Sequence, residues 1–156
     1  LKLSGRETVL DAYCGIGTIG MYVSQFVKQV VGVEINRDAV EDARINAKIN
    51  GISNIRFVCE DAGRYMTRLA AEKKRLDVVI MDPPRSGSSE EFIKSLVRMK
   101  PRQVLYISCN PQTQVRDLQM LERMGYRVDG NMVPVDLFPH TFHVETVCLM
   151  SRTEGK

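Results

Sequence analysis

The chain has 156 residues, of which 44% are hydrophobic and 26% charged, and its formal net charge is +3. These values are typical of one globular domain with a single core, and the mildly basic charge permits a nucleic-acid partner without indicating one. No apolar run approaches the ~20 residues that span a bilayer, so no membrane partner is expected. The cysteines are scattered without a CxxC pair, which argues against a metal site or a disulfide framework and favours a cytoplasmic setting.

The first predicted element is a short apolar strand that leads through a glycine-rich turn into a helix. The stretch is Thr8–Gly20, TVLDAYCGIGTIG. Gly15, Gly17 and Gly20 match the pattern G-x-G-x-x-G, and Glu34 ends the next apolar run about twenty residues further on. Such a turn lets backbone N–H groups and a helix N-terminus approach a polar ligand closely. The pattern therefore predicts a nucleotide-type cofactor.

Strands and helices alternate along the rest of the chain. Apolar runs predict strands at Val30–Val33, Ile55–Val58, Leu76–Met81, Val104–Ser108, Tyr126–Val135 and Val144–Ser151. Helical spacing and capping residues predict helices at Arg37–Asn50, Arg64–Lys74, Glu90–Met99 and Asn110–Met124. Only a loop, Asp136–His143, separates the last two strands. We therefore expect an α/β fold with a doubly wound, mostly parallel sheet and an antiparallel C-terminal edge.

Polar residues cluster where the predicted strands end. They are Asp11 to Gly17, Glu34, Asp61, Asp82 and Cys109. Ligands of open α/β sheets bind outside the carboxyl ends of the strands, so these residues predict a single site.

The identity of the cofactor depends on the acidic residues. A carboxylate at Asp11 would repel the pyrophosphate of a dinucleotide, whereas it suits the ammonium group of S-adenosylmethionine. Glu34 suits the ribose hydroxyls and Asp61 the adenine amino group. We therefore expect S-adenosylmethionine ahead of NAD. Two plainer interpretations stay open: Asp61 as the N-cap of its helix, and Glu34 as a solvated strand end.

Two further motifs bear on the reaction. The sequence Asp82-Pro83-Pro84 resembles the D/N-P-P motif of methyltransferases that act on exocyclic amines, but Arg85 stands where those enzymes carry an aromatic residue. Cys109 lies between a strand end and a helix start, where the helix dipole stabilises a thiolate. An inert, buried thiol is the alternative for this residue.

A thiolate explains how a uracil carbon could accept a methyl group. Addition of the Cys109 sulfur to C6 would place electron density on C5, and a base must later remove the C5 proton. Glu145 is the candidate base, with an exposed strand-edge carboxylate as the alternative interpretation.

The motifs DAYCGIGTIG, VVGVEIN, DVVIMDPPRSG, YISCNPQTQVRDL and VDLFPHTFHVETV resemble those of S-adenosylmethionine-dependent RNA uridine-C5 methyltransferases. The resemblance covers nearly the whole chain and implies a Rossmann-like class I methyltransferase fold. It implies that Cys109 is the nucleophile and Glu145 the base, that Asp82 also faces the target base, and that Arg85 borders the substrate. Together with the glycine turn, it gives this cofactor-binding set: Tyr13, Gly15, Gly17, Thr18, Glu34, Asp61 and Asp82.

The resemblance also carries expectations about the whole protein. The motif DAYCGIGTIG most resembles that of bacterial enzymes that act on 23S ribosomal RNA, so we expect a ribosomal RNA substrate ahead of a transfer RNA. We also expect the target base to be flipped out of its stack. We expect residues 1–156 to be the catalytic domain of a longer chain, without its N-terminal RNA-binding domain, and to be monomeric. The alternative functions are an exocyclic-amine nucleic-acid methyltransferase and a non-catalytic RNA-binding domain.

Overall fold

The computed structural model describes residues 1–137, 139–141 and 144–153. Its strands are β1 (Thr8–Ala12), β2 (Gln29–Glu34), β3 (Ile55–Cys59), β4 (Val78–Met81), β5 (Gln103–Ser108), β6 (Tyr126–Val128), β7 (Val133–Val135) and β8 (Glu145–Arg152). Its helices are α1 (Thr18–Ser24), α2 (Arg37–Ile49), α3 (Ala62–Ala71), α4 (Glu90–Met99) and α5 (Pro111–Arg123). Part of the predicted loop Asp136–His143 lies outside the described residues, namely Phe138, Phe142 and His143.

Within the described ranges the strands form one eight-stranded sheet in the order β3-β2-β1-β4-β5-β8-β6, with β7 also paired to β8. Strands β1 to β5 are parallel, whereas β8 runs antiparallel to β5, β6 and β7. This confirms the predicted doubly wound sheet with an antiparallel C-terminal edge. The strand order reverses between β1 and β4, and such a reversal opens a crevice at the carboxyl ends of the strands. None of the helices described is long and apolar enough to cross a membrane.

The two faces of the sheet follow from the alternation of side chains along each strand. In β1, Leu10 and Ala12 join the main core, which also takes residues from α3, α4 and α5. Val9 points to the opposite face and packs in a second cluster with Val23 of α1. Asp11 shares the face of Val9, so the alternation turns its carboxylate towards α1.

Capping side chains define where four of the helices begin. Asn36, Asp61, Ser89 and Asn110 each accept a hydrogen bond from a backbone N–H in the first turn of the helix that follows. Pro111 then occupies the first turn of α5, where its missing N–H costs nothing. Apart from Tyr126–Val135, the predicted elements lie within about three residues of the observed ones, as expected for boundaries inferred from sequence.

The predicted strand Tyr126–Val135 is wrong as a single element. The chain instead forms two short strands, β6 and β7, which pair with opposite ends of β8. Gly130 has a φ of +75°, which breaks the extended run, and the Asp129 N–H donates to the Leu149 carbonyl oxygen at 2.8 Å just before this turn. Both short strands pair with β8, so the sheet extends on both sides of the turn.

The absence of a side chain at Gly32, in the middle of β2, is required by packing. A Cβ there would lie 2.5 Å from Phe57 Cδ1 and 2.9 Å from Cys14 Sγ. We therefore expect Gly32→Ala to lower the free energy of unfolding by about 1–3 kcal/mol, measured by urea titration. In a Phe57→Leu background the same change should lower the free energy of unfolding by less, because the aromatic ring that would overlap the new methyl group is absent. An equal cost in both backgrounds would contradict this explanation of the glycine.

Candidate functional site

A cavity of about 390 Å³ opens at the carboxyl ends of β1 to β4. Four of the predicted site residues line it: Tyr13, Glu34, Asp61 and Asp82. Each follows or ends a different strand, so the parallel sheet brings together residues that are far apart in sequence. Val33, Ile35, Ala62 and Pro84 complete the lining with apolar surface.

Glu34 is held in place by the backbone of two neighbouring turns. Its Oε2 accepts a hydrogen bond from the Gly15 N–H at 3.0 Å, and its Oε1 accepts one from the Asn36 N–H at 2.9 Å. A carboxylate oxygen has a second lone pair, so both oxygens can still accept bonds from hydroxyl groups in the cavity. Gly15 therefore contributes to the site through its N–H group.

Tyr13 begins the glycine turn in an unusual backbone conformation. Its φ is +63°, a region that aromatic residues seldom occupy. Its hydroxyl lies 2.9 Å from Ser88 Oγ, and its ring lies 5.6 Å from that of Phe92. Burial raises the pKa of the Tyr13 hydroxyl, which therefore remains protonated. These contacts hold the ring at the cavity wall.

Asp61 combines the two roles that its sequence position left open. Its Oδ1 accepts a hydrogen bond from the Arg64 N–H at 2.9 Å, so it is the N-cap of α3. The same side chain also lines the cavity. The cap fixes the orientation of the carboxylate and leaves Oδ2 available to a donor in the cavity.

Asp11 lies beneath the glycine turn and not on the cavity wall, contrary to the expectation that it faces the cofactor directly. It is 1% exposed, and its Oδ2 accepts a hydrogen bond from the Gly20 N–H at 2.8 Å. The strand alternation that turns Asp11 towards α1 explains this orientation. Its Oδ1 is buried without a hydrogen-bond partner among the described residues, and burial raises its pKa to about 7.

The other residues of the glycine turn lie at the start of α1. Gly17 has a φ of +83°, and a Cβ there would lie 2.6 Å from Phe57 Cε1, so it is needed for the shape of the turn. Thr18 is the exposed first residue of the helix. Neither residue is part of the cavity lining. The neighbouring Cys14 is a poor nucleophile, because burial, Asp11 and Glu34 raise its pKa to about 12.

Cys109 and Glu145 are brought together by the antiparallel pairing of β5 with β8. Ser108 pairs with Thr146 at the end of the ladder, so Cys109 follows this last pair on one strand and Glu145 precedes it on the other. Cys109 is half-buried and immediately precedes the N-cap of α5.

Asp82, which lines the cavity, is also close to Glu145. Burial raises the pKa of Asp82 to about 6, and the charge of Glu145 adds to the increase. The electrostatic effect requires the two carboxyl groups to be neighbours. The predicted nucleophile, the predicted base and the cavity are therefore parts of one edge of the sheet.

Arg85 follows Asp82-Pro83-Pro84, and its backbone is bound to the start of α5. Its carbonyl oxygen accepts hydrogen bonds from Asn110 Nδ2 at 3.0 Å and Thr113 Oγ1 at 3.1 Å. This contact ties the loop after β4 to the helix that follows Cys109. No sequence motif singles out the partners of this loop on α5; a polar face recurring every three or four residues from Asn110 is the only signal.

A larger cavity, of about 840 Å³, lies between α5 and the segment formed by the loop after β4 and the start of α4. Among the described residues, its lining includes none of the predicted catalytic or cofactor-binding side chains. The smaller cavity is the better candidate site because its walls carry several carboxylates that can accept hydrogen bonds from a polar ligand.

Comparison with known proteins gives a family match over nearly the whole chain. The sequence profile described as tRNA (Uracil-5-)-methyltransferase matches residues 3–153. An uncharacterized RNA methyltransferase of Lactobacillus johnsonii is 50% identical over 97% of this chain and 34% of its own length. Another, from Halalkalibacterium halodurans, is 47% identical over 96% of this chain and 32% of its own. The chain thus spans about a third of the length of these curated relatives.

A solved structure has the same fold. It is the tRNA (uracil-54, C5)-methyltransferase of Pyrococcus abyssi in complex with S-adenosyl-L-homocysteine, which is 39% identical with a TM-score of 0.81. The match covers 95% of this chain and 35% of that one. An rRNA methylase from Streptococcus thermophilus, at 10% identity and a TM-score of 0.74 over 97% of this chain and 90% of that one, shares the fold alone.

The raised pKa of Asp82 predicts a pH dependence of stability. Its ordinary value is 3.8 and its value here is about 6, so the folded state binds this proton more tightly than the unfolded state. The stabilisation is complete below pH 3.8 and is lost as the pH rises through about 6. Relative to Asp82→Asn, the wild type should therefore lose free energy of unfolding between pH 4 and pH 6, measured by urea titration.

The charge of Glu145 can be tested in the same experiment. In a Glu145→Gln background, the pH-dependent effect of the Asp82→Asn substitution should shrink, because the neighbouring charge that raises the pKa of Asp82 is absent. If the free energies of unfolding of the wild type and Asp82→Asn changed in parallel with pH, the raised pKa of Asp82 would be contradicted.

Proposed function

The chain belongs to the tRNA (uracil-5-)-methyltransferase family, and from this premise we propose that it transfers a methyl group from S-adenosylmethionine to C5 of a uridine in RNA through a covalent Cys109 adduct. The observation that supports the proposal is the β5–β8 register, in which the last pair, Ser108 and Thr146, is flanked by Cys109 and Glu145. The chain spans about a third of the length of these relatives, so the activity and the substrate of the whole protein are parts of the proposal.

The chemistry of the cavity fits S-adenosylmethionine. Glu34 has lone pairs available for ribose hydroxyls, and Asp61 offers a fixed carboxylate to the adenine amino group. The Pyrococcus abyssi relative, which is described with S-adenosyl-L-homocysteine, supports the same assignment.

The chain's own residues account for each step that the uracil ring requires. When bound, S-adenosylmethionine would supply an electrophilic methyl group on its sulfonium and leave as S-adenosylhomocysteine. The Cys109 thiolate adds to C6, and the electrons of the C5=C6 bond make C5 nucleophilic enough to take that methyl group. Glu145 then removes the C5 proton, the C5=C6 bond forms again, and the Cys109 sulfur leaves.

Asp82 and Arg85 are proposed to contact the target base. Asp82 lies at the cavity and close to Glu145, so it can meet a uracil that has been turned out of its stack. At pH values below about 6 its protonated carboxyl group can also donate a hydrogen bond to a carbonyl oxygen. Arg85 borders the same position because its backbone is bound to the start of α5.

We propose ribosomal RNA as the first substrate to test, on the likeness of DAYCGIGTIG to enzymes of that class. The family description and the Pyrococcus abyssi relative name transfer RNA instead. Unmodified 23S ribosomal RNA and unmodified transfer RNA should be offered separately to the full-length protein with labelled S-adenosylmethionine. The proposal predicts label in the ribosomal RNA, and label in the transfer RNA alone would reverse this choice.

The covalent step predicts a trapped adduct. With RNA that contains 5-fluorouridine, the base at Glu145 meets fluorine in place of a removable proton, so the Cys109 adduct cannot break down. Intact-mass spectrometry of the full-length protein should show a protein–RNA species that Cys109→Ala abolishes. Methyl transfer to ordinary RNA should fall by at least about 10³-fold in the same variant, because the activation of C5 is lost.

Cys59→Ala provides the matched control, because Cys59 is a second free and more exposed cysteine. This variant should keep both the adduct and the methylation. An active Cys109→Ala enzyme, or methylation without any trapped species, would favour the exocyclic-amine alternative. A protein that neither methylates RNA nor binds S-adenosylhomocysteine would favour the non-catalytic RNA-binding alternative.

A further inference from the structure

The first two turns of helix α5 bind the loop between β4 and α4. Besides the two bonds to the Arg85 carbonyl oxygen, Arg116 donates to the carbonyl oxygens of Ser86 and Ser88 at 3.1 and 3.3 Å. Asp117 Oδ2 accepts from the Ser88 N–H at 2.8 Å. The loop that carries residues 85–89 is therefore attached to the helix that follows Cys109.

Asp117 is the central acceptor of this attachment. It is 2% exposed, and its Oδ2 also accepts from the Tyr106 hydroxyl at 2.6 Å. Its Oδ1 accepts from Arg116 Nε at 2.8 Å, so the buried charge is paired. Charge-assisted bonds of this kind are shorter and stronger than those between neutral groups.

The contact at Ser88 extends to the smaller cavity, where the cofactor is proposed to bind. Ser88 Oγ lies 2.9 Å from the hydroxyl of Tyr13, which lines this cavity with its backbone at a positive φ. The chain of contacts Tyr106–Asp117–Ser88–Tyr13 thus runs from the strand that precedes Cys109 to the opposite side of the site. This chain of contacts requires a glycine at position 87, because a Cβ there would lie 2.7 Å from Asp117 Oδ2.

We infer that Asp117 is a positioning residue, which sets the distance between the Cys109 nucleophile on one side of the site and the methyl donor on the other. The inference rests on the proposed function. Asp117 is not part of the lining of the smaller cavity, and it acts by holding Ser88, and through it Tyr13, against α5. A reaction at both C5 and C6 needs the two reactants held in register, and small displacements cost much of the rate.

The test compares three variants of the full-length protein. Asp117→Asn replaces an acceptor oxygen with a donor group and should detach the loop. Tyr106→Phe removes a single bond to Asp117 and leaves the charge. The matched control is Tyr126→Phe: Tyr126 is also buried, and its hydroxyl donates a single bond, at 2.8 Å to the Pro101 carbonyl oxygen.

The measured quantities are kcat for methyl transfer at saturating RNA and S-adenosylmethionine, the affinity for S-adenosylhomocysteine, and the thermal midpoint. We expect kcat per folded enzyme to fall about tenfold or more in Asp117→Asn and about threefold in Tyr106→Phe. S-adenosylhomocysteine affinity should change by less than about threefold, because Glu34 and Asp61 are held by other contacts. Tyr126→Phe should lower the thermal midpoint as much as Tyr106→Phe and leave kcat unchanged.

A purely structural Asp117 would lower the midpoint in both tyrosine variants without a loss of kcat, and that result would overturn the inference. If Asp117→Asn does not fold, the comparison of Tyr106→Phe with Tyr126→Phe tests the inference: equal thermal midpoints with a lower kcat in Tyr106→Phe alone would support it, and equal kcat values would overturn it. A wild-type protein without methyl transfer would refute the proposed function and this role together. An active wild type with an equally active Asp117→Asn variant would refute the role alone.

Discussion

The register between β5 and β8 is the constraint on which the site depends. Ser108 is paired with Thr146, and buried Gln114 holds this pairing by donating to the carbonyl oxygens of Tyr106 and Thr146 at 3.1 and 3.2 Å. A slip of one residue would turn Glu145 to the other face of the sheet. The antiparallel edge therefore brings the proposed base and the proposed nucleophile to the same end of the β5–β8 ladder.

The parallel half of the sheet supplies the other requirement, a cavity rich in carboxylates. Burial makes such groups costly unless donors satisfy them, and here backbone N–H groups bind Glu34 and Asp61 in advance. The raised pKa of Asp82 reflects both its burial and the neighbouring Glu145. A cationic ligand with several hydroxyl and amino donors would relieve these costs, which is the physical reason that the cavity suits S-adenosylmethionine.

Much of this arrangement could be predicted from sequence because it follows from local patterns. Apolar runs, caps and the glycine turn define the elements, and parallel strands bring Glu34, Asp61 and Asp82 to one edge. The orientation of Asp11 depends on the parity of β1 and on α1, which motif spacing does not reveal. The Ser88–Asp117 contact joins residues 29 positions apart, and nothing local in either segment predicts it. Contacts that form only through tertiary packing could therefore not be predicted from the sequence.

The central claim is that methylation at C5 of uracil proceeds with loss of the C5 hydrogen. RNA labelled with tritium at C5 of uridine measures this directly when it is incubated with the full-length protein and S-adenosylmethionine. We expect one tritium to be released to water for each methyl group transferred, with 5-methyluridine as the only methylated nucleoside. Methylated RNA that retains its tritium would contradict the claim, because the methyl group would then have gone to another atom.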